Sequence, residues 1–501
     1  MLIWSTPTEH IFKIEAHLEL EDSEFIVPTD RETVAGYNRD DCLSTSRLRN
    51  WLEVCRETLV NDGQTIPRPT PSPGDPPQGL ADRQARIQAL ITQLTSGVPA
   101  DAGQRGPGQQ ARWLLAYLLE WHRRELKSVW WEHFRLCALS ADELLDEQAG
   151  LSGLTLIARV GGKARNPIDR YSFPPQDNEI YAGEPSYEVG GRKLGSIHAI
   201  GEGWVEIKKR QDSAEVHPNA VFAPETIIGV EVLEDSLERL ANLVVAQGME
   251  GDGSHLAARD LLLRACPRLN GGAVEVEGEM TLAAALRIAP LLNGGVFPIQ
   301  GPPGAGKTFT GARMICRLVI EGKTVGVTAN SHKVIRNLLD AVVAAAADTG
   351  VSLTCVQKAG DLEPDQPGLR FVSKNDDLLN AIGNDCQVAG ATAWLWASPG
   401  AIDSVDVLFI DEAAQMSLAN VLAASQAART VVLLGDPQQL EQPMRGNHPE
   451  GTDVSALRHL LKGLDSGAAP DAPQRPYRSD YFGASRAHRQ AHRRLCIGFR
   501  V

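Results

Sequence analysis

The sequence predicts an α/β fold whose C-terminal half is built on a parallel β-sheet. Apolar runs of strand length alternate there with segments of helical periodicity, and three of these runs end in glycine-rich or acidic residues. Strands that are apolar throughout are buried on both faces, as in a parallel sheet covered by helices on each side. The predicted strands are 296–300, 324–328, 405–410 and 430–435, with one helix over 308–318 and another from Ser331 to about Ala347 that Asn330 caps.

The regions ahead of this sheet differ from it in composition. Residues 1–58 mix apolar and acidic residues and end in a predicted helix around 41–55, and a proline- and glycine-rich linker follows. Aromatic residues at helical spacing come next, and then β-branched runs punctuated by glycine predict a small β-barrel or sheet. The predicted domains are 1–58, the linker 59–80, a helical region 81–150, a β-rich domain 151–235, a helical connector 236–274, the α/β domain 275–465 and an arginine-rich tail 466–501.

Composition excludes several classes of protein. The net charge of −14 over 501 residues provides no overall positive field for nucleic acid, although a local basic groove is compatible with it. The eight cysteines are scattered without C-x-x-C spacing, which disfavours a metal cluster and suggests a reducing compartment. The N-terminus lacks the pattern of a signal peptide, and no apolar run approaches the roughly 20 residues of a membrane span. We therefore expect a cytoplasmic protein without a membrane partner.

A glycine-rich octapeptide follows the first predicted strand, from Gly301 to Thr308, and has the form G-x-x-x-x-G-K-[ST]. Backbone amides of such a turn can surround a phosphate, Lys307 would reach the β- and γ-phosphates, and the Thr308 hydroxyl would hold Mg²⁺. A structural glycine turn is the alternative, but the strand before it and the helix after it favour a site for ATP and Mg²⁺. The candidate nucleotide-binding residues are Gly301, Pro302, Pro303, Gly304, Ala305, Gly306, Lys307, Thr308 and Phe309.

Acidic and amide side chains follow two later strands. Asp411 and Glu412 come directly after 405–410, at the strand end where doubly wound sheets bind ligands. Asp411 is a candidate Mg²⁺ ligand beside Thr308, and Glu412 is a candidate base for the attacking water. Gln438, in the Gly-Asp-Pro-Gln-Gln segment at 435–439, could sense the γ-phosphate. Alone, the acidic pair could be a solvated loop and 435–439 a plain turn. With the glycine loop upstream, the candidate catalytic residues are Lys307, Asp411, Glu412 and Gln438.

The three motifs together resemble superfamily 1 helicases of the branch that moves 5′ to 3′ on single strands. The resemblance implies a RecA-like P-loop NTPase motor domain over about 275–465, and a small accessory barrel at 151–235. It implies nucleic-acid contacts by two further segments, 328–332 and 390–394, with Thr328, Asn330, Ser331, His332 and Thr392 as candidate residues. The family's adenine-recognising glutamine is missing from the helix before the glycine loop, which leaves the preference for adenine less certain.

The N-terminal segment carries a second resemblance. Tyr37 and Asp41 are similar to the last motif of RNase H-like 3′–5′ exonucleases, in which the tyrosine orients a water and the aspartate binds a metal. The whole arrangement is similar to bacterial RecB-like nuclease–helicase fusions, with 1–58 as a remnant of the nuclease. An ordinary role at a helix start is the equal alternative for both residues, and we expect no nuclease activity.

Two arginine-containing segments have alternative interpretations. The tail 466–501 contains seven arginines and no lysine or glutamate, so it could be a basic arm for nucleic acid. We favour an out-of-frame or shortened ending, without the second RecA-like domain. The segment around Trp121, Trp130 and Trp131, with Arg123 and Arg124, could clamp a single strand by stacking. The favoured alternative is that the tryptophans form the core of a helical hairpin.

The sequence as a whole predicts the ATP-binding first motor domain of an ATP-dependent superfamily 1 helicase. Its expected partner is single-stranded nucleic acid, with DNA favoured over RNA, and a separate chain would supply the second RecA-like domain. Without that domain we expect poor hydrolysis and no unwinding. The competing hypotheses are a nucleotide-regulated nucleic-acid-binding module and a non-functional gene fragment.

Overall fold

The computed structural model divides the chain into two compact units, Met1–Gln78 and Gly79–Val501. It describes residues 10–11, 13–14, 26–64, 66, 78–274, 276–360 and 363–461. The arginine-rich tail 466–501 lies outside the described residues, so both interpretations of it stay predictions from the sequence.

The first unit contains one long helix, α1 (Pro28–Asn61), which has a proline in its first turn. It extends well beyond the predicted helix at 41–55, at both ends. Tyr37 and Asp41 lie on this helix one turn apart, and both side chains are exposed. Among the described residues, no group of three or more acidic, histidine or cysteine side chains could hold a metal ion. The nuclease resemblance therefore stays a prediction drawn from the sequence.

The predicted parallel sheet is present in the second unit and has seven strands in the order β11-β10-β12-β9-β13-β14-β8. All of its pairings are parallel. The four predicted strands are confirmed, and three short ones were missed because runs of three or four residues carry almost no periodic signal. The strands are β8 (Gly295–Gln300), β9 (Val325–Thr328), β10 (Cys355–Lys358), β11 (Leu369–Val372), β12 (Val388–Gly390), β13 (Val405–Ile410) and β14 (Ala428–Gly435).

Helices cover both faces of this sheet. Along β13, Val407 and Phe409 are buried in one apolar cluster, whereas Leu408 and Ile410 are buried in another. Successive side chains of a strand point to opposite faces, so each cluster is the core on one side of the sheet. The first cluster is closed by α7 (Thr281–Ile288), α8 (Lys307–Ile320) and α9 (His332–Thr349), and the second by α5 (Glu231–Gln247), α6 (Leu256–Leu263) and α12 (Leu418–Ala424).

The helical region before the sheet contributes to the second core. Leu94 and Leu115, on helices α2 (Gln78–Thr95) and α3 (Pro107–Leu118), are fully buried in the same apolar cluster as Leu408. Arg83 on α2 makes a 2.7 Å ion pair with Asp235 on α5. The other described helices are α4 (Trp121–Ala138), α10 (Asn375–Ala381), α11 (Ala393–Trp396) and α13 (Ala456–Leu461). No described helix combines the length and apolar character needed to cross a membrane.

The β-rich region forms a second, antiparallel seven-stranded sheet, in the order β1-β7-β4-β5-β6-β3-β2. Its own apolar core includes Leu151, Tyr171 and Ile207. A smaller cluster joins Phe222 on this sheet to Leu136 on α4. The strands are β1 (Gly150–Ser152), β2 (Thr155–Lys163), β3 (Asn166–Ser172), β4 (Pro185–Glu188), β5 (Lys193–Gly201), β6 (Trp204–Lys209) and β7 (Ala220–Phe222).

Two predictions about individual side chains are wrong. Helix α9 begins at His332, and its cap is Ser331, whose hydroxyl accepts a hydrogen bond from the Val334 amide at 3.2 Å. Asn330 is one residue too early to cap. The second error concerns part of the aromatic segment: Trp121 is buried in the core as expected, whereas Trp130 and Trp131 are exposed and do not belong to the core of a helical hairpin. The chain forms two separate helices, α3 and α4, in this segment. The buried side chains of α4 lie on its inner face, and Trp130 and Trp131 are not among them.

Candidate nucleotide-binding site

The glycine loop connects the end of β8 to the start of α8. Gly304 and Gly306 have φ values of 77° and 83°, in the left-handed region that glycine adopts without steric cost. The turn brings backbone amides to the N-terminus of a 14-residue helix, where the helix dipole favours an anion. The loop therefore has the backbone conformation and the positive electrostatic end that a phosphate group requires.

Lys307 lies inside this loop and is only 9% exposed. Its Nζ donates hydrogen bonds to the carbonyl oxygens of Gly301 at 2.7 Å and Pro302 at 3.1 Å. Charged phosphate oxygens are stronger acceptors for an ammonium group than backbone carbonyls. A bound phosphate would therefore replace these two carbonyl oxygens as the acceptor for Lys307, which is already held inside the loop.

Asp411 lies at the same edge of the sheet as the loop, because β14 alone separates β8 from β13. The carboxylate is 5% exposed, and this burial raises its pKa to about 6. The Glu412 amide donates to its Oδ1 at 3.0 Å and lowers the pKa, the Glu412 charge raises it, and Lys307 lowers it. A buried carboxylate with so little counter-charge is suited to a divalent cation.

Glu412 has a backbone conformation that the sequence did not indicate. Its φ is 51°, in the left-handed region that a non-glycine residue rarely occupies, at an intrinsic cost of about 1–3 kcal/mol. The chain turns back there, and the Ala413 amide donates to the Leu434 carbonyl on β14 at 2.8 Å. Glu412 Oε2 is buried and has no hydrogen-bond partner. Beside Asp411 the fold therefore holds a carboxylate oxygen whose capacity to accept a hydrogen bond or a proton is unused.

The polar groups of the segment 435–439 lie in different surroundings, and the proposed contact of Gln438 with the γ-phosphate stays a prediction. Asp436 is buried and accepts a 3.0 Å hydrogen bond from the Gln438 amide, so it stabilises the turn. The side chain of Gln438 is exposed. Gln439 Oε1 instead accepts from Gln415 Nε2 at 3.4 Å. The segment 435–439 contains both Asp436 and Gln439, and the tertiary structure shows that the first stabilises the turn and the second contacts Gln415.

Asn330 connects the predicted nucleic-acid segment to the acidic turn. Its Nδ2 donates to the carbonyl oxygen of Gln415 at 2.7 Å, and the Gln415 amide donates to the Glu412 carbonyl at 2.8 Å. Thr328, at the end of β9, is fully buried, its Oγ1 has no partner, and its carbonyl accepts from the Asp411 amide at 2.9 Å. The end of β9 and the segment after it are therefore linked to the end of β13 and its acidic turn through two hydrogen bonds, and a third is made within that turn.

The remaining predicted residues differ in accessibility. The His332 side chain is accessible at the start of α9, and the pKa of its imidazole is lowered, chiefly because part of the ring is removed from water. Thr392 precedes α11 without a side-chain capping bond. Thr308 is half-buried behind Lys307. The Phe309 ring is half-exposed, with the Arg313 guanidinium 3.5 Å from its centroid. In the loop itself, Ala305 is buried, whereas Pro302 and Pro303 are exposed.

Comparisons with known proteins match part of this chain. Residues 284–452 match a family model described as an AAA domain. A stretch of 148 residues is 28% identical to the DNA replication ATP-dependent helicase/nuclease DNA2 of Saccharomyces cerevisiae and covers 28% of this chain. The match spans 10% of the length of that protein.

Solved helicase structures also resemble the chain, at 14% identity and low structural overlap. The arterivirus nonstructural protein 10 helicase has a TM-score of 0.25, covering 64% of this chain and 53% of its own. The UvsW helicase of bacteriophage T4 has a TM-score of 0.23, covering 34% and 56%. The sequence match and the glycine-loop geometry together support a superfamily 1 helicase-like P-loop NTPase domain in this part of the chain.

The described residues fit a magnesium nucleotide. The loop amides and Lys307 would hold the phosphates, and Thr308 and the undercompensated Asp411 carboxylate would hold the cation. The glycine loop after β8 supplies the positive groups. The end of β13, two strands away at the same edge of the sheet, supplies the negative groups.

Proposed function

We propose that this chain carries the ATP-binding first motor domain of an ATP-dependent superfamily 1 helicase of the 5′-to-3′ branch. The observation that supports it best is the shared edge of the sheet. The lysine of the glycine loop, the buried Asp411 and the unpaired Glu412 oxygen lie at the carboxyl ends of β8 and β13, which β14 alone separates. A site that only bound phosphate would need no base. The carboxylate of Glu412 therefore favours ATP hydrolysis over simple phosphate binding.

In this proposal the residues of the chain divide the work. Lys307 leaves the Gly301 and Pro302 carbonyls to bind phosphate oxygens. Asp411, with Thr308, holds the cation, which neutralises phosphate charge. Glu412 accepts the proton of the attacking water, a contribution of about 10²–10⁴ in rate for a positioned general base. Arginines from a second RecA-like domain would add about 10³–10⁵, so we propose that the described domain alone hydrolyses ATP slowly.

Single-stranded nucleic acid, with DNA favoured, is the proposed partner. The curated relative that matches the chain is a DNA replication helicase/nuclease, and this supports DNA over RNA. Asn330 and its hydrogen bond to Gln415 offer a physical route by which a strand bound near 328–332 could influence Glu412. A second polypeptide or domain that supplies the arginines is part of the same proposal.

Titration with a fluorescent ATP analogue and Mg²⁺ tests the nucleotide site. Lys307→Ala should abolish detectable binding, whereas Glu412→Gln should retain binding and lose phosphate release, with and without a single-stranded oligonucleotide. Unchanged binding in Lys307→Ala, or full phosphate release by Glu412→Gln, would refute the proposed roles.

A further inference from the structure

Helix α4 is anchored to the parallel-sheet domain through its first turn. Trp121 and His122 are buried, and His122 Nε2 lies 2.8 Å from Asn420 Oδ1 on α12. The Trp121 ring is stacked on the His448 ring with centroids 5.3 Å apart. The N-terminal end of α4 therefore has a defined position on this domain.

A second set of contacts is centred on Glu125, one turn further along α4. Its carboxylate accepts hydrogen bonds from the backbone amides of Arg445 at 3.1 Å and Gly446 at 2.9 Å. His448 Nε2 lies 2.5 Å from the same carboxylate, and Arg124 Nε donates to His448 Nδ1 at 3.2 Å. These contacts bind α4 to the chain that follows the 435–439 segment of the nucleotide site.

The other end of α4 is anchored to the antiparallel sheet. Leu136 is fully buried in one cluster with Phe222, and the His133 ring lies 5.0 Å from the Tyr187 ring in an edge-to-face arrangement. Both ends of the inner face are thus held. The direction in which the outer face points is set by packing against two sheets.

Five of the exposed side chains of α4 form its outer face: Arg123, Lys127, Trp130, Trp131 and Phe134. We call these five residues the aromatic-cationic face. The three rings are 41%, 64% and 60% exposed, respectively. Trp130 and Phe134 have ring centroids 5.7 Å apart and are inclined by 25°, and Lys127 Nζ lies 4.6 Å from the centroid of Trp131. Three neighbouring exposed aromatic rings mark an interaction surface.

The chemistry of this face favours nucleic acid over a protein helix. A partner helix lays its apolar face into a hydrophobic groove, whereas this face lies on the exposed side of a single helix and carries a lysine among its rings. Lys127 makes no ion pair among the described residues, and the nearby Glu132 is neutralised by Arg135 at 2.6 Å. Arg123 is paired with Glu120 at 2.7 Å, so Lys127 supplies the unpaired positive charge of the face, on a chain with a net charge of −14. Aromatic rings for base stacking and cations for phosphates are what single strands bind.

The dimensions of the face also suit a strand. Eleven residues separate Arg123 from Phe134, and at about 1.5 Å per residue this helical segment is about 16 Å long. That length accommodates roughly five base steps of about 3.4 Å each. We propose that the aromatic-cationic face is a stacking platform for single-stranded nucleic acid, outside the sequence motifs of the motor domain. The proposal rests on the proposed function in that the partner is a single strand.

Fluorescence anisotropy with a labelled single-stranded oligonucleotide tests the platform on the full chain. Trp131→Ala and the double variant Trp130→Ala/Phe134→Ala should each raise the Kd about 5- to 100-fold, the range of about 1–3 kcal/mol per stacked base. Trp131→Phe should restore most of the affinity, because a ring is retained. Lys127→Ala should lower the slope of log Kd against log salt by about 0.7.

A matched control is available on α1. Trp51 is 61% exposed, close to the 64% of Trp131, so Trp51→Ala removes an equally exposed ring elsewhere on the chain. We expect Trp51→Ala to leave the Kd for the oligonucleotide unchanged. Equal losses in both variants would overturn the platform, and so would a Kd within twofold of wild type for Trp131→Ala. A change in self-association with unchanged strand binding would assign the face to a protein partner and would also overturn it.

The same measurements separate this inference from the proposed function. Strand binding that persists in Lys307→Ala and depends on Trp131 would support the platform even if no ATP binding were detected. If the Kd for ATP and the Kd for the strand were both unchanged in the platform variants, the platform would be refuted and the proposed motor domain would stand.

Discussion

Replacing Asp411 by asparagine should stabilise the nucleotide-free protein at neutral pH. Burial is the main cause that raises the pKa of this carboxyl from 3.8 to about 6, a difference of about two units. At roughly 1.4 kcal/mol per unit, the ionised carboxylate destabilises the folded state by about 3 kcal/mol. Asparagine removes the charge and keeps an oxygen that can accept from the Glu412 amide.

The sign of the pH dependence follows from the higher pKa in the folded state. Below pH 3.8 the carboxyl is neutral in both the folded and unfolded states, and its destabilising effect is absent. The effect grows as the pH rises and is complete above about pH 6. The gain from Asp411→Asn should thus be about 3 kcal/mol at pH 7.5 and under about 1 kcal/mol near pH 4. For a cooperative unit as large as Gly79–Val501, this corresponds to roughly 3–4 °C in Tm at neutral pH.

Thermal unfolding without Mg²⁺ or nucleotide, at both pH values, measures this difference. Asp406→Asn is the matched control of opposite sign: burial acts to raise the pKa of that carboxyl, but hydrogen bonds from Thr324 and Lys323 lower it overall. Its contribution is present at neutral pH and lost as the pH falls, so Asp406→Asn should destabilise at pH 7.5. An Asp411→Asn variant that is less stable than wild type at pH 7.5, or equally stabilised at both pH values, would refute the reasoning.

Three further predictions concern the same domain. Binding of Mg·ATP should weaken as the pH falls below about 6, where Asp411 becomes protonated, and calorimetric titration of Asp411→Asn should show no such dependence beyond that of the phosphate itself. Asn330→Ala should lower the rate of phosphate release about 5-fold with little change in nucleotide Kd, because it removes one neutral hydrogen bond to Gln415; an unchanged steady-state rate would contradict this. Gly435→Ala should destabilise by about 1–3 kcal/mol, since its Cβ would lie 2.8 Å from a Leu457 methyl and 2.9 Å from the Ala414 nitrogen. Gly108→Ala, whose Cβ would meet no atom within 4 Å in helix α3, should not lower the denaturation midpoint, because alanine favours a helix more than glycine does. Equal destabilisation by the two glycine variants would refute the packing argument.

Several features of the fold could be predicted because their causes are local. Runs such as 405–410 are apolar at every position except Asp406, and this pattern requires a strand buried on both faces. The glycine loop was recognisable for the same reason, since Gly304 and Gly306 occupy conformations that depend on the residue itself. The strand β12, by contrast, has three residues, and its existence depends on pairing with β9 and β10.

The sequence by itself determined the parallel sheet, the glycine loop and the acidic residues at the strand ends, because spacing and residue type dictate them. Only the tertiary structure decided how these groups act together. Asn330 has a partner 85 residues away in Gln415, and Glu412 adopts its strained conformation because the chain must turn back onto β14. Trp130 and Trp131 have helical spacing whether they face a core or solvent. Packing of the opposite face of α4 against two separate sheets left them exposed.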